Sequence, residues 1–185
     1  MSYQDKISLF ETFRFLQGGL KMPITLARID QRLIHGITVN QWNKVLHPKR
    51  FMVIDDEVSQ NEMVKASMRM SKPTGTGMSI INEEKAITNF KNGKYDSHSV
   101  FLIVKEPHYI LDLINAGVEV PKVNVGALFE EGNRKPYTKR VALDDQELSD
   151  LKEIAAKGIP VFFEYTPDDE NEVSLAEVLK NKGEN

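Results

Sequence analysis

Val100-Phe101-Leu102-Ile103-Val104, a stretch from Pro107 to Ala116, Gly117, and then Lys122-Val123-Asn124-Val125 follow one another in the middle of the chain. An unbroken apolar run of this length between polar residues reads as a strand buried on both faces. The stretch after it suits a helix, and Gly117 stands where a helix C-cap is expected. Lys122–Val125 then returns as a strand. Strand, helix, strand in so short a span is the unit from which parallel sheets are built.

The same alternation runs toward the N-terminus. Ile24–Ala27 is expected as a strand, and residues 37–46, with Val39, Trp42, Val45 and Leu46, as a helix. Phe51–Ile54 and Met78–Ile81 are further strands. Between them Glu57–Met70 carries a helical stripe of Val58, Met63, Ala66 and Met70, and a short helix is expected near Asn82–Phe90. Beyond Val125 the rhythm breaks. Gly126–Val141 contains Gly126, Gly132 and Pro136 and reads as an irregular hairpin or antiparallel edge. A helix follows at Asp144–Lys157, opened by Asp144 and closed by Gly158. Ile159–Tyr165 is a last strand and Ser174–Leu179 a last helix. The expected fold is a single-domain α/β architecture. Its doubly wound, mainly parallel sheet has helices on both faces and an antiparallel edge hairpin.

Residues 22–180 form the expected domain, with residues 181–185 as a frayed C-terminus. Residues 1–21 are set apart as an N-terminal extension, with Ile7, Phe10, Phe13 and Leu16 on a short amphipathic stripe. Gly18-Gly19-Leu20-Lys21-Met22 reads back into codons compatible with a ribosome-binding site before a start codon. Met22 is therefore the expected natural start, which the intact mass of the natural protein would check.

Composition narrows the function. The chain of 185 residues has no cysteine, which excludes a disulfide scaffold, a thiol nucleophile and an iron–sulfur cluster. With 24 basic and 27 acidic residues the net charge is −3, and basic residues are scattered, so nucleic acid is not the expected partner. No apolar run approaches the roughly 20 residues of a membrane span.

Open α/β sheets bind ligands at the carboxyl ends of their strands. The first strand is followed by the densest set of chemical groups, Arg28-Ile29-Asp30-Gln31-Arg32-Leu33-Ile34-His35-Gly36. A neutral imidazole at His35 can carry a phosphoryl group. Gly36 leaves room for an incoming group, and amides from about Ile37 to Val39, including Thr38, would face a phosphate at the helix start. Arg32 can neutralise phosphoryl oxygens. Asp30 can hold Arg32 or fix an imidazole tautomer. Spacing alone favours a polar loop histidine and a surface arginine, because Arg-x-x-His is a weak pattern.

Taken whole, Arg28 to Gly36 resembles the signature of the IIB subunit of the mannose–fructose–sorbose type phosphotransferase system. Asp56-Glu57-Val58, Val123-Asn124-Val125-Gly126 and Lys139-Arg140-Val141-Ala142-Leu143-Asp144 extend the resemblance to about Pro23–Leu179. It implies a phosphocarrier subunit, a protein-phosphohistidine–sugar phosphotransferase. His35 would accept the phosphoryl group through Nδ1 from a phosphohistidine on a IIA partner. It would pass the group to a sugar bound by membrane components IIC and IID. Arg32 would steady the group, with Asp30, Gly36, Ile37 and Thr38 in support and neither metal nor cofactor used. The resemblance further implies a cytoplasmic protein, held at the inner membrane face by its partners. On general resemblance the sugar leans toward N-acetylgalactosamine, and a homo-oligomer is left open. Two departures stand out. Ile37-Thr38 replaces the common Gln-Val, and Gly126-Ala127-Leu128-Phe129 replaces a loop with a second glycine or asparagine and a methionine.

Other features have bland readings. Trp42 is expected in the core, and His47 as a cationic helix cap. His108 opens a helix, Thr74-Gly75-Thr76-Gly77 forms a turn, and Asn124 places an amide in the site or in a buried hydrogen bond. Asp55, Asp56 and Glu57 are expected to open a helix in preference to binding Mg²⁺. Asp55-Asp56 and Lys105 also suggest an alternative, a receiver-like signalling domain, but Asn82 stands where that chemistry needs a carboxylate. A silent binding protein on the same scaffold is the third possibility.

Overall fold

The computed structural model describes residues 22–168 and 172–183. The amphipathic stripe and the extension expected over residues 1–21 lie outside the described residues. Nine strands and eight helical segments alternate among those described. They are β1 (Ile24–Asp30), the π-helical segment α1 (Ile37–Trp42), α2 (Asn43–Leu46), β2 (Arg50–Ile54), α3 (Asp56–Gln60) and α4 (Glu62–Ser71). β3 (Gly77–Ile81), α5 (Glu83–Lys91), β4 (Val100–Val104), α6 (His108–Asn115) and β5 (Val123–Ala127) follow. The last are β6 (Lys135–Pro136), β7 (Ala142–Leu143), α7 (Asp145–Ala156), β8 (Val161–Phe163), β9 (Val173–Ser174) and α8 (Leu175–Lys182).

The main sheet has the order β3-β2-β4-β1-β5-β8-β9. Its strands are parallel apart from β9, which runs antiparallel to β8. The apolar run 100–104 is β4, buried at every residue between β1 and β2. Its side chains alternate: Phe101 and Ile103 join Leu26, Trp42, Phe51 and Val53 in one core layer, while Val100, Leu102 and Val104 join the other. That is the two-residue period of a strand covered on both faces. Helical segments α1 to α4 cover the first layer, and α5 to α8 cover the second.

The expected fold class holds, with local corrections. β1 continues to Asp30, so Arg28, Ile29 and Asp30 lie in the sheet and not in a loop. The helix expected over Glu57–Met70 is two helices. Asn61 ends α3 and opens α4, its side chain accepting from the Val64 amide at 3.1 Å. The break turns the expected stripe outward: Met63 and Met70 are 83% and 87% exposed, while Val64 and Met68 pack against the core. The 37–46 helix opens as a π-helix. The irregular stretch after β5 contains the small antiparallel pair β6–β7, a sheet apart from the main one. The edge strand β9 was not expected. The last helix runs to Lys182, where Gly183 adopts φ 73° as its left-handed cap.

Other local expectations are met. Asp144 opens α7 with a full capping box to Glu147, and Gly158 follows the helix at φ 83°. Asp55 caps α3 through the Val58 amide at 2.7 Å and also pairs with Lys105 at 3.0 Å. His47 does cap α2, but through its backbone amide on the Asn43 carbonyl in a left-handed turn at φ 43°, and not through the cationic side chain expected.

The chain leaves β1 toward β2 on one side and leaves β5 toward β8 on the other. The carboxyl ends of β1 and β5 therefore flank a crevice at a topological switch point. Arg28 reaches across it, over Gly126. A Cβ built on Gly126 would lie 2.0 Å from Arg28 Cζ, and the guanidinium is already held by Asp30, Asn124 and the Glu164 and Tyr165 carbonyls. Gly126→Ala should therefore displace the guanidinium and leave its buried partner uncompensated, at a cost of about 3 kcal/mol or more. Urea unfolding of the variant measures this, and a loss within ordinary surface-mutation scatter would contradict it.

Candidate functional site

Leu26, Arg28 and Asp30 alternate onto the α1 face of β1, and burial turns the last two into a linked pair. Both side chains are 0% exposed. Arg28 Nη2 and Nε donate to Asp30 Oδ2 at 2.8 and 3.2 Å. The rest of the guanidinium is also engaged. Nη1 donates to Asn124 Oδ1 and, at 3.2 Å, to the Glu164 carbonyl. Nη2 donates to the Tyr165 carbonyl at 3.1 Å, and the group lies 5.2 Å from the centre of the Trp42 ring. Asn124 Nδ2 donates to the Glu164 carbonyl at 3.0 Å, and Trp42 Nε1 to that of Tyr165 at 3.3 Å. Burial lowers the affinity of Arg28 for its proton, and Asp30 opposes that.

Asp30 then faces outward from this pair toward the loop. Its Oδ2 receives His35 Nε2 at 2.9 Å, and its Oδ1 accepts from the Arg32 amide at 3.1 Å and lies 3.6 Å from Arg32 Nε. Both roles open in the sequence, holding Arg32 and fixing the imidazole, are filled at once. Burial alone would push the Asp30 carboxyl up, but the His35 hydrogen bond and the Arg28 charge outweigh it and hold it below the ordinary aspartate range. An ionised Asp30 accepts, so Nε2 carries the hydrogen, and in the neutral ring Nδ1 then holds the lone pair. The Ile37 amide points at that nitrogen from 3.4 Å. The His35 side chain is 16% exposed, open at one edge and held at the other.

The loop is shaped locally. Leu33 adopts φ 53°, a left-handed conformation that costs a side-chain-bearing residue about 1 kcal/mol, with its own side chain buried as the anchor. Thr38 is fully buried. Its hydroxyl accepts from the His35 amide at 2.9 Å and lies 2.8 Å from the His35 carbonyl, closing the turn. The departure from the common pattern at this position is thus a structural tie. Gly36 is right-handed, and a Cβ there would meet only Asn40 at 3.9 Å, so nothing inside the protein demands glycine. The Val39 amide is spent on the His35 carbonyl at 3.0 Å, which removes it from the set expected to face a phosphate.

Arg32 lies between two aromatic rings, 5.7 Å from the centre of Phe129 and 5.6 Å from that of Tyr165, and its Nη2 donates to the Tyr165 hydroxyl at 3.0 Å. Phe129 is 45% exposed, and its amide is held by Gln31 Oε1 at 3.0 Å. Gln31 also accepts from Arg134, which forks onto Glu147. The unusual Phe129 loop therefore supplies a wall of the site. Tyr165 carried no sequence signal for this site, because it reaches it from a distant segment; Trp42 follows the motif directly but read only as a core residue, and Phe129 stood in the loop that departs from the common pattern. Arg28 stood inside the motif, but its role depends on burial.

His108 opens α6 and pairs with Glu106 at 3.1 Å, away from this group. Asn82 caps α5 by accepting from the Lys85 amide at 3.1 Å, and Asp55 is already held by Lys105 and its cap. The residues that suggested a receiver-like site are engaged in structural bonds.

With its folded value depressed, Asp30 stabilises the fold fully above its unfolded value, near pH 4. That contribution is lost as pH falls through the lower folded value. Asp30→Asn should cost about 3 kcal/mol at neutral pH, with the deficit narrowing below about pH 4. Urea unfolding of both proteins across this range reads the effect, and a deficit independent of pH would count against it.

The PTS system sorbose subfamily IIB component family matches this chain over residues 24–185. The sorbose-specific EIIB component of Klebsiella pneumoniae is 33% identical over 138 residues, covering 75% of this chain and 84% of that protein. The mannose-specific EIIAB component of Escherichia coli is 31% identical, covering 75% of this chain and 43% of that protein. The crystal structure of the IIBSor domain of the Klebsiella pneumoniae sorbose permease aligns with a TM-score of 0.81 at 29% identity, covering 86% of this chain and 98% of that one. A match over residues 24–185, together with the shared fold, shows that the chain belongs to the sorbose subfamily of phosphotransferase-system IIB components.

Proposed function

We propose that this protein is a phosphocarrier that accepts a phosphoryl group on His35 Nδ1 from a phosphohistidine of a IIA partner. It then delivers the group to a sugar hydroxyl presented by membrane components IIC and IID, as a protein-phosphohistidine–sugar phosphotransferase. The observation that carries the reading is the imidazole itself. Nε2 is tied to a buried, ionised Asp30, and Nδ1 stands with its lone pair beside a backbone amide at the edge of a switch-point crevice.

In the first step Nδ1 attacks phosphorus in line with the donor's N–P bond. That bond breaks, and its electron pair stays on the donor imidazole. The Nε2 hydrogen stays on the ring and donates to the Asp30 carboxylate, whose charge compensates the positive charge the ring gains. Arg32 and the Ile37 amide supply donors to the equatorial oxygens, with Thr38 and Gly36 holding and clearing the turn. In the second step a sugar oxygen attacks phosphorus, the N–P bond returns its pair to Nδ1, and the hydroxyl proton is released.

Among the described residues no helix is long and apolar enough to cross a membrane. Acting between a IIA donor and membrane components, the protein would work from the cytoplasm and reach the bilayer through those partners. A IIA partner is supported by the Escherichia coli relative, whose name joins the A and B components. The membrane components bind the sugar, so its choice lies mainly with them; the relatives themselves are named for different sugars, sorbose and mannose. An N-acetylated amino sugar is the acceptor class to present first.

Incubation with a phosphorylated IIA protein should add one phosphoryl group by intact mass. His35→Gln should abolish the gain without unfolding the domain. Arg32→Ala should keep the acceptor but slow the transfer by about 10³-fold. Acid that protonates Nδ1 should slow acceptance in parallel. A label that survives in the His35 variant would end the proposal.

A further inference from the structure

Tyr165 follows the last parallel strand, far in sequence from the motif, yet it contacts both arginines of the site. Its backbone carbonyl accepts from Arg28 Nη2 at 3.1 Å and from Trp42 Nε1 at 3.3 Å, so its main chain is fixed by the group that holds Asp30. Its hydroxyl accepts from Arg32 Nη2 at 3.0 Å, and Arg32 Cζ stands 5.6 Å from its ring centre. Arg140 stacks on the same ring at 3.8 Å, close enough to pin its plane. The Arg140 amide donates to Thr138 Oγ1 at 3.3 Å and its carbonyl accepts from the Leu128 amide at 3.1 Å, so its backbone is held while its side chain lies on the ring. Tyr165 and Arg140 also line an open cavity of about 270 Å³ with Gly126, Thr138 and Lys139.

We propose that Tyr165 is a positioning residue for phosphoryl transfer, its hydroxyl and ring holding Arg32 over the phosphoryl path while Arg140 braces the ring. The inference rests on the His35 phosphocarrier reading. The geometry explains why a brace is needed. Arg32 is the more exposed partner, with 36% of its side chain in solvent, and its Nε already stands 3.6 Å from Asp30 Oδ1. An arginine that collapsed onto Asp30 would take charge from the carboxylate that sets the His35 tautomer and withdraw its own from the phosphoryl oxygens. The tyrosine hydroxyl offers Nη2 a neutral acceptor, so Arg32 keeps its charge available. Preorganised donors of this kind raise the rate of the step without strengthening initial encounter.

The test is a double-mutant cycle on phosphoryl transfer from a phosphorylated IIA protein, followed by rapid quench and intact mass, with His35→Gln as control. Tyr165→Phe keeps the ring and the Arg140 stack and removes only the hydroxyl. It should lower the maximal transfer rate by about tenfold with the donor's half-saturating concentration unchanged. In an Arg32→Ala background the same change should alter the rate by less than about twofold. An equal loss in both backgrounds would make Tyr165 a structural residue, and an unchanged or faster rate in Tyr165→Phe alone would overturn the proposal. NMR gives a readout independent of transfer. The Arg32 Nε–Hε signal should shift and exchange faster in Tyr165→Phe while the His35 ring signals stay in place. If wild-type protein accepts no phosphoryl group, the phosphocarrier reading fails, while that signal still decides whether Tyr165 holds Arg32. An unmoved Arg32 signal refutes the positioning role on its own.

Discussion

A charge pair sealed inside the sheet sets the terms for the rest of this molecule. Arg28 and Asp30 are both without solvent contact, and a buried guanidinium is tolerable only when its donors are met and its charge is matched. Meeting them engages three further segments. The Asn124 amide comes from β5, the Glu164 and Tyr165 carbonyls from the end of β8, and the Trp42 face from α1. Gly126 must lack a side chain for the arginine to pass at all. One cation thereby joins the carboxyl ends of three parallel strands and fixes the floor of the crevice between them.

The reactive surface is the outer side of that floor. Arg28 keeps Asp30 ionised, and Asp30 in turn holds the Nε2 side of His35 and the Arg32 amide. A left-handed Leu33, a buried Thr38 hydroxyl and the π-helical start of α1 turn the histidine's other nitrogen outward. Wide helical turns of this type recur at functional sites because they re-aim side chains that a regular helix would point elsewhere. The strain at Leu33 is held by its buried side chain, so core packing and site geometry are coupled through one residue.

The mobile part of the chemistry is left to longer side chains at the rim. Arg32 lies between Phe129 and Tyr165, each from a different connection, and Gln31 ties the Phe129 loop to Arg134 and α7. A phosphoryl group carries its charge on oxygens that move little during in-line transfer. Fixed donors around it therefore serve both the receiving and the delivering step.

Much of this architecture was written locally. The apolar run 100–104 could only be a strand covered on both faces, Asp144 with Glu147 formed a capping box, and glycines 117 and 158 ended helices. These depend on periodicity and neighbouring residues, which a linear sequence displays. The segment from Arg28 to Gly36 likewise announced a histidine beside an arginine and an aspartate. What stayed hidden depended on distance or orientation. Asn61 could cap as readily as continue a helix, and only packing turned Val64 and Met68 inward in place of Met63 and Met70. Arg28 looked like a loop residue until β1 ran on to Asp30 and buried it. Tyr165 and Phe129 joined the site because the strand order places β8 beside β5 and folds the following hairpin over the motif. The sequence by itself gathered Asp30, Arg32 and His35, the residues of the proposed site, into one motif. The tertiary structure decided which nitrogen of His35 is free, because that choice depends on a carboxylate whose charge is held by an arginine buried among strands far apart in the chain.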